Sequence, residues 1–301
     1  NRSLTRNSTI ISHDGLHAIN EMDKMGDRSA LVHETLHADM GEVMRNGLTD
    51  RTREQKVGRW VAGICGFYLI SCFLVPALMP TGSVPELSGR ANMLDYANDD
   101  SWGNKNHAEN GEIGHDQSAH GGNFSWMELN NPYFSIIYAF GDLNCHQKHE
   151  RSWTVNENQM PICVRDVGIF LGLTLGAWWF SRRGFNRWTL RDTFLTLLPD
   201  KRIESLYVVD RRMKAMLLIG FVMCLPVILD GGIQAITSYE SNNPLRLITG
   251  LPFGFIISWL LTSSLASRPA KFNGDASRVI LPAGAHLMAP VAPIDIIGES
   301  E

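Results

Sequence analysis

Residues 61–79 read VAGICGFYLISCFLVPALM, a continuous apolar stretch without a charged side chain. A helix needs roughly 20 mostly apolar residues to cross the hydrocarbon layer of a bilayer. Residues 247–266 (LITGLPFGFIISWLLTSSLA) also meet this requirement without a charge, and residues 162–180 and 215–236 meet it with charged side chains near one end. Four such stretches predict an all-α, polytopic membrane protein with four transmembrane helices.

The overall composition excludes two other classes of protein. The 301 residues include 27 Lys and Arg against 31 Asp and Glu, which gives a formal net charge of −4. A general nucleic-acid binder normally carries a strong basic excess, so nucleic acid is not an expected partner. Hydrophobic residues make up 44% of the chain and charged residues 19%, which excludes a wholly disordered chain.

The distribution of Lys and Arg predicts the orientation of the spans. Basic residues accumulate on the cytoplasmic side of a membrane protein. Residues 181–214, between the second and third predicted spans, contain nine Lys and Arg residues, whereas residues 231–245 contain none. We therefore expect a multi-pass protein of the cell membrane with both termini in the cytoplasm.

The spans divide the chain into five segments. We expect a polar cytoplasmic segment at 1–57, the first transmembrane helix at 58–80 and an external polar loop at 81–131. A membrane domain with the other three spans follows at 132–267, and a mobile Ala/Pro-rich cytoplasmic tail at 268–301.

Two features are expected on the outer face before the second span. Residues 132–143 (PYFSIIYAFGDL) are apolar but too short to cross, so they predict an interfacial helix over residues 132–151. In the preceding loop, His107, His115 and His120 lie among acidic residues and could bind cations. Their irregular spacing and the flanking glycines favour a solvated loop instead.

Glycines at helical spacing predict close packing between spans. Gly168, Gly172 and Gly176 recur every four residues and share one face of the second span, and Gly250 and Gly254 do the same in the fourth. Small residues at this spacing let two helix backbones approach closely in a membrane.

Polar residues at the ends of the predicted spans all fall on the outer face. They are Cys145, His146, His149, Arg151, Cys163, Arg165, Asp166, Asp230, Gln234, Ser241, Asn242, Asn243 and Arg246. An unpaired charge in a helix end that borders lipid is costly, so the charged members should turn towards one another. We therefore expect one polar cluster that opens to the external water.

The same region resembles a known family of uncharacterised prokaryotic membrane proteins, grouped as domain of unknown function 2085. The resemblance rests on Cys145-His146-Gln147, Glu150-Arg151-Ser152, Pro161-x-Cys163-x-Arg165-Asp166-x-Gly168, Asp230-Gly231 with Gln234, and Ser241-Asn242-Asn243 followed by Arg246 and Thr249-Gly250. It covers about residues 132–267, and it implies a polytopic membrane protein without supplying an activity. His149 stands where this family typically has proline.

One chemical interpretation of the cluster is a metal site. If the chain is helical from Asp142 onward, then Asp142, Cys145, His146 and His149 lie on one face of the helix. Together with Cys163 they offer sulfur, nitrogen and oxygen donors suited to zinc or copper. The alternatives are a disulfide between Cys145 and Cys163, which is favoured outside the cell, and two free thiols.

A second interpretation is a site for an anionic lipid headgroup. Arg151, Arg165 and Arg246 all fall on the outer face, and guanidinium groups suit phosphate. Residues 241–243 could supply further hydrogen bonds, and Asp166 and Asp230 could pair with the arginines.

Two other functions stay open at this stage. One of the two aspartates could act as a general base towards a lipid-linked phosphate, which would make the protein an enzyme. The long loop and the cytoplasmic extensions could instead dock a partner membrane protein, with the cysteine pair as a structural disulfide. The spacing alone reveals no arrangement of nucleophile and base, so enzymatic activity is left undecided.

Overall fold

The structure, a computed structural model, describes residues 50–89, 93–105, 116–269 and 282. The expectations for the N-terminal segment, for most of the tail and for His107 and His115 fall outside these residues. Over the described residues the chain forms seven α-helices and one two-stranded sheet. In chain order they are α1 (Thr52–Leu78), α2 (Pro132–Asn144), β1 (Ser152–Val155), β2 (Asn158–Cys163), α3 (Val164–Arg183), α4 (Leu190–Leu195), α5 (Asp200–Val208), α6 (Arg212–Ile236) and α7 (Asn243–Ala266).

The protein is mostly helical, and three of the described helices could cross a membrane. These are α1, α6 and α7, which are long and apolar enough. Helix α3 is the predicted second span and has 20 residues. It is not among the three, because Arg165 and Asp166 in its first turn and Arg182 and Arg183 in its last turn lower its mean hydropathy.

Helix α3 lies between α1 and α7, and glycines make both contacts close. A β-carbon on Gly172 would overlap the carbonyl oxygen of Leu251 in α7. On the other side, a β-carbon on Gly58 of α1 would come within 2.7 Å of the backbone nitrogen of Ser181. The close packing predicted from the glycine spacing is therefore confirmed.

Basic residues tie together one end of the bundle, which we call the basic end. Arg51 donates through Nε to the carbonyl of Gly184 at 3.0 Å, and Arg53 donates through Nη2 to the carbonyl of Leu265 at 2.7 Å. These bonds hold the start of α1 against the last turns of α3 and α7. The short helix α4 packs at the same end, where Trp259 of α7 stacks on Phe194 at 4.3 Å between ring centroids.

The described parts of residues 81–131 form a packed layer, which we call the cap. Val84, Leu87, Tyr96 and Phe124 are buried in it, and Phe124 packs edge-on against Tyr138 of α2. The expectation of a solvated loop is therefore wrong for these residues. Their apolar side chains are scattered without periodicity, so the sequence pattern does not reveal the layer.

Asp142 holds the cap onto α2. Its carboxylate accepts hydrogen bonds from the backbone amides of Asp95 and Tyr96, at 3.2 and 2.9 Å, and from the indole of Trp126 at 3.0 Å. Asp142 is thus oriented towards the cap, and its expected place on a metal-binding helix face is wrong.

The chain leaves the α-helical conformation directly after α2 and has only a short 3₁₀ turn at His149–Arg151 before the strands, which corrects two expectations. The sequence predicts the interfacial helix over residues 132–151, but the helix ends at Asn144 and the following Cys145 is extended. Residues 152–163 form a hairpin, so the protein is not all-α. The hairpin turns at Asn156 and Glu157, whose φ angles of 54° and 60° suit a two-residue turn that matches the twist of the strands.

Candidate functional site

A cysteine pair and a carboxylate lie where β2 meets α3, at the end of the bundle opposite the basic end. The backbone amide of Cys163 donates to Sγ of Cys145 at 3.0 Å, and Sγ of Cys163 donates to Oδ2 of Asp166 at 3.3 Å. The three possible ligand atoms all lie within 4.8 Å of one another. Both thiols are free, and burial raises the pKa of the Cys145 thiol.

The two predicted histidine ligands do not join this group. His146 is exposed, and His149 instead groups with Glu86 and His120. The chain leaves the helical path after Asn144, so positions that would share a helix face point in different directions. The described residues therefore bring Cys145 and Cys163 together with Asp166, and without the two histidines.

An ion pair joins the neighbouring ends of α3, α6 and α7. Arg165 donates through Nη2 to Oδ2 of Asp230 at 2.6 Å and to Oε1 of Gln234 at 3.3 Å. Thr249 of α7 donates to the same aspartate oxygen at 3.4 Å. The Asp230 side chain is 4% exposed and that of Arg165 21%, so the pair is largely removed from water.

Two further arginines lie beside this ion pair. Arg151 donates through Nη2 to Oε1 of Glu240 at 2.9 Å, and this bond lowers the pKa of the Glu240 carboxyl. Arg246 is buried and donates through Nε to the carbonyl of Ser241 at 2.7 Å. Its guanidinium lies near those of Arg151 and Arg165, so their charges act on it.

Asn242 has a structural role at the start of α7. Its side-chain oxygen accepts a hydrogen bond from the amide of Leu245 at 2.9 Å, which caps the helix. The next residue, Asn243, leaves its buried side-chain oxygen without a hydrogen-bond partner among the described residues.

Five buried polar atoms in residues of the predicted polar cluster have no hydrogen-bond partner within the described part of the chain. They are Nε of Arg151, Nε of Arg165, Oδ1 of Asp230, Nε2 of Gln234 and Oδ1 of Asn243. Buried polar atoms in folded proteins are normally paired, so each unpaired atom of this cluster needs a reason. A polar ligand that supplies both acceptors and donors would satisfy them.

Comparison with known proteins places the chain in a family. Residues 145–260 match the family described as "Predicted membrane protein (DUF2085)". An uncharacterized protein of Methanothermobacter thermautotrophicus is 32% identical over 110 residues, which are 36% of this chain and 77% of that protein. The chain belongs to this DUF2085 family.

A second similar protein is less fully covered. An uncharacterized protein of Methanocaldococcus jannaschii is 31% identical over 121 residues, which are 40% of this chain and 63% of that protein. No solved structure matches the chain.

The match to DUF2085 covers the whole polar cluster. It begins at Cys145 and extends past Arg246, so the cysteine pair, the ion pair and the three arginines all lie inside it. Glu86 and His120 precede it. Sequence reasoning misses Glu240 and Thr249 as members of the cluster, although both lie in or beside the polar segments that carry the family resemblance.

Proposed function

We propose that this DUF2085 protein crosses the cell membrane four times, with α1, α3, α6 and α7, and that α2 lies at the outer interface. Contact of α3 with two candidate spans over most of its length supports a fourth span, because a helix held between two spans shares their depth. Asp166 then lies near one membrane face and Arg182 and Arg183 near the other, where charges are tolerated. The basic end faces the cytoplasm, as do both termini.

Cysteine labelling tests this topology with two exposed positions. We expect a membrane-impermeant thiol reagent to label Thr237→Cys in intact cells and to label Ser205→Cys only after the cells are permeabilised. Ser205 lies on α5 near the basic end and Thr237 directly follows α6, and both are exposed. Labelling is compared with that of the parent chain, which has five cysteines. Labelling of Ser205→Cys in intact cells would contradict the orientation.

We further propose that the polar cluster binds a phosphate-bearing anion, with an anionic lipid headgroup as its source. The unpaired buried atoms of the polar cluster carry this proposal. Nε of Arg151, Nε of Arg165 and Nε2 of Gln234 are donors, which suit phosphate oxygens. Oδ1 of Asp230 and Oδ1 of Asn243 are acceptors, which suit hydroxyl groups, so a phosphate that carries a polyol fits both sets.

The test compares lipids and variants in nanodiscs or by native mass spectrometry. We expect phosphatidylglycerol to bind more tightly than phosphatidylcholine, and Arg151→Gln to weaken phosphatidylglycerol binding about 10-fold or more, since a bond to a charged group contributes about 1.5–3 kcal/mol. Lys148→Gln is the matched control, because it removes one positive charge from the same surface. Inorganic phosphate that competes equally well would identify free phosphate as the source. Equal affinities in the two variants would contradict the site.

A second candidate function is metal binding by Cys145, Cys163 and Asp166. The observation that favours it is the convergence of two sulfurs and one carboxylate oxygen within 4.8 Å. Thiolate and carboxylate donors suit Zn²⁺, and the sulfurs also suit copper. Oxidation of the two thiols to a disulfide is the competing state, because it would consume both sulfur ligands.

The enzyme and scaffold interpretations stay predictions. Asp230, one of the two expected general bases, already accepts hydrogen bonds from Arg165 and Thr249 through Oδ2. The other, Asp166, accepts a hydrogen bond from Cys163. Oδ2 of each carboxylate is therefore engaged in holding the cluster, which favours binding over proton transfer.

A further inference from the structure

A second group of possible metal ligands lies at the seam between the cap and the segment that follows α2. It consists of Glu86, His120 and His149, whose ligand atoms all lie within 4.8 Å of one another. The two imidazole rings are 4.5 Å apart between centroids and tilted by 47°. All three residues are at least partly exposed, so an ion could reach them from the aqueous phase.

The hydrogen bonds of His149 prepare one of its nitrogens for a metal. Nδ1 of the ring lies 3.3 Å from the carbonyl oxygen of Leu87, and the backbone amide of His149 donates to the same oxygen at 2.9 Å. A carbonyl oxygen only accepts, so this contact puts the ring proton on Nδ1 and leaves the lone pair on Nε2. Metal-binding histidines commonly have this arrangement, with the second ring nitrogen bonded to a carbonyl or carboxylate.

The distance across the group fits an intervening ion better than a direct bond. Nε2 of His149 and Oε2 of Glu86 are 4.0 Å apart, whereas a charge-assisted hydrogen bond is about 2.7–2.9 Å long. Two ligands about 2.1 Å from a tetrahedral Zn²⁺ lie about 3.4 Å apart, so Glu86 has to move by only about half an ångström. Its side chain is 62% exposed, so little packing opposes the movement.

Gln117 sets the positions of the other two ligands. This side chain is fully buried, donates through Nε2 to the carbonyl of Glu86 at 2.8 Å and accepts from the amide of Ser88 at 2.9 Å. Gln117 also directly precedes the short 3₁₀ turn that ends in His120. One buried amide therefore holds Glu86 beside the turn that carries His120.

We propose that Glu86, His120 and His149 form a binding site for a divalent transition-metal ion, with Zn²⁺ as the expected occupant. Two imidazoles and one carboxylate are a common zinc ligand set, and water completes the tetrahedron. The bound ion links the cap to the segment that carries Arg151. Glu86 and His120 precede the DUF2085 match, so the site belongs in part to the region of this chain outside the family match. It is independent of the anion and cysteine proposals.

Zinc binding by matched variants of the full chain tests the proposal. The protein is purified in detergent through a tag without histidines, stripped with a chelator and titrated with Zn²⁺ against a chromophoric competitor. We expect His120→Gln to bind one zinc equivalent fewer than His146→Gln, or to bind it at least about 100-fold more weakly. Loss of a direct metal ligand weakens metal binding more than loss of a residue that only hydrogen-bonds to a ligand. His146 is the matched control, since it is an exposed imidazole outside the group. The chain has ten histidines, so the comparison is between variants.

A second variant and a protease-protection measurement also test the zinc site. Glu86→Gln removes the carboxylate from an exposed side chain, so the fold should stay intact, and we expect its zinc affinity to fall at least about 10-fold. Zn²⁺ should also protect the cap from protease in the parent chain and in His146→Gln, but not in His120→Gln. Equal zinc binding by His120→Gln, Glu86→Gln and His146→Gln would overturn the proposal.

The same titration separates this site from the cysteine group. If Cys145, Cys163 and Asp166 bind zinc, Cys163→Ala loses one equivalent relative to Cys224→Ala, which removes a thiol from α6. We expect Cys163→Ala to lose this equivalent whether or not His120 is also replaced with glutamine. Neither variant touches the predicted phosphate contacts of Arg151 and Arg165, so the lipid measurement tests the anion proposal separately.

Discussion

Replacing Gly172 with alanine is expected to lower the free energy of unfolding by about 3 kcal/mol or more. The new β-carbon would overlap the carbonyl oxygen of Leu251 and come within 2.7 Å of the backbone nitrogen of Phe255. Both obstacles are backbone atoms of α7, so no side chain can rotate away and the two helices have to separate. Since packing between membrane helices depends on such close approach, the loss should be large.

Gly220→Ala is the matched control for this substitution. Gly220 lies in α6, and among the described residues no atom outside its own stretch of helix lies within 4 Å of the position that its β-carbon would occupy. Alanine favours a helix by about 1 kcal/mol over glycine, so this variant should be at least as stable as the parent. Unfolding in detergent, followed by circular dichroism, measures both. Equal stabilities of the two variants would contradict the close contact between α3 and α7.

Replacing Asp230 with asparagine is expected to destabilise the protein by about 3 kcal/mol. Oδ2 of Asp230 accepts hydrogen bonds from Arg165 at 2.6 Å and from Thr249 at 3.4 Å, which joins three helices. Asparagine leaves the Arg165 guanidinium largely buried without its negative partner. Breaking one side of a buried pair is costly because the remaining charge stays desolvated.

Glu240→Gln is the control for an ion pair of the same chemistry in a different environment. Glu240 pairs with Arg151 at 2.9 Å, but its side chain is 50% exposed. Exposed pairs contribute about 1 kcal/mol or less, so this variant should unfold close to the parent. The same unfolding measurement serves both variants. A loss for Asp230→Asn as small as that for Glu240→Gln would show that water reaches the Arg165 pair.

The polar cluster illustrates how far sequence reasoning reaches. Arg165 and Asp230 are expected to pair because a charge in a helix end beside lipid needs a partner, and they form an ion pair. Cys145 and Cys163 are expected to be neighbours, and an amide–sulfur bond of 3.0 Å joins them. These expectations require only the direction in which each predicted helix crosses the membrane. That direction decides on which membrane face the residues at each helix end lie.

Other expectations depend on a local conformation that the chain does not adopt. The prediction that groups His149 with Cys145 assumes a helix through residues 145–151, but α2 ends at Asn144. The strands β1 and β2 give no clear signal of their own, because a short hairpin has no periodicity long enough to distinguish it from a loop. The sequence around Glu86 does not predict its place beside His120 and His149 either, since these residues come from distant parts of the chain.

The sequence by itself determined the long apolar helices and the glycine faces, because length, hydropathy and helical spacing are properties of a continuous segment. It also determined that the charges at the helix ends need partners, since burial beside lipid is costly wherever the partner lies. Only the tertiary structure decided that the cap packs on α2 through Asp142 and that His149 meets Glu86 and His120. The physical reason is that these contacts join segments far apart in the chain, where many pairings satisfy the same local pattern and only packing of the whole molecule selects one.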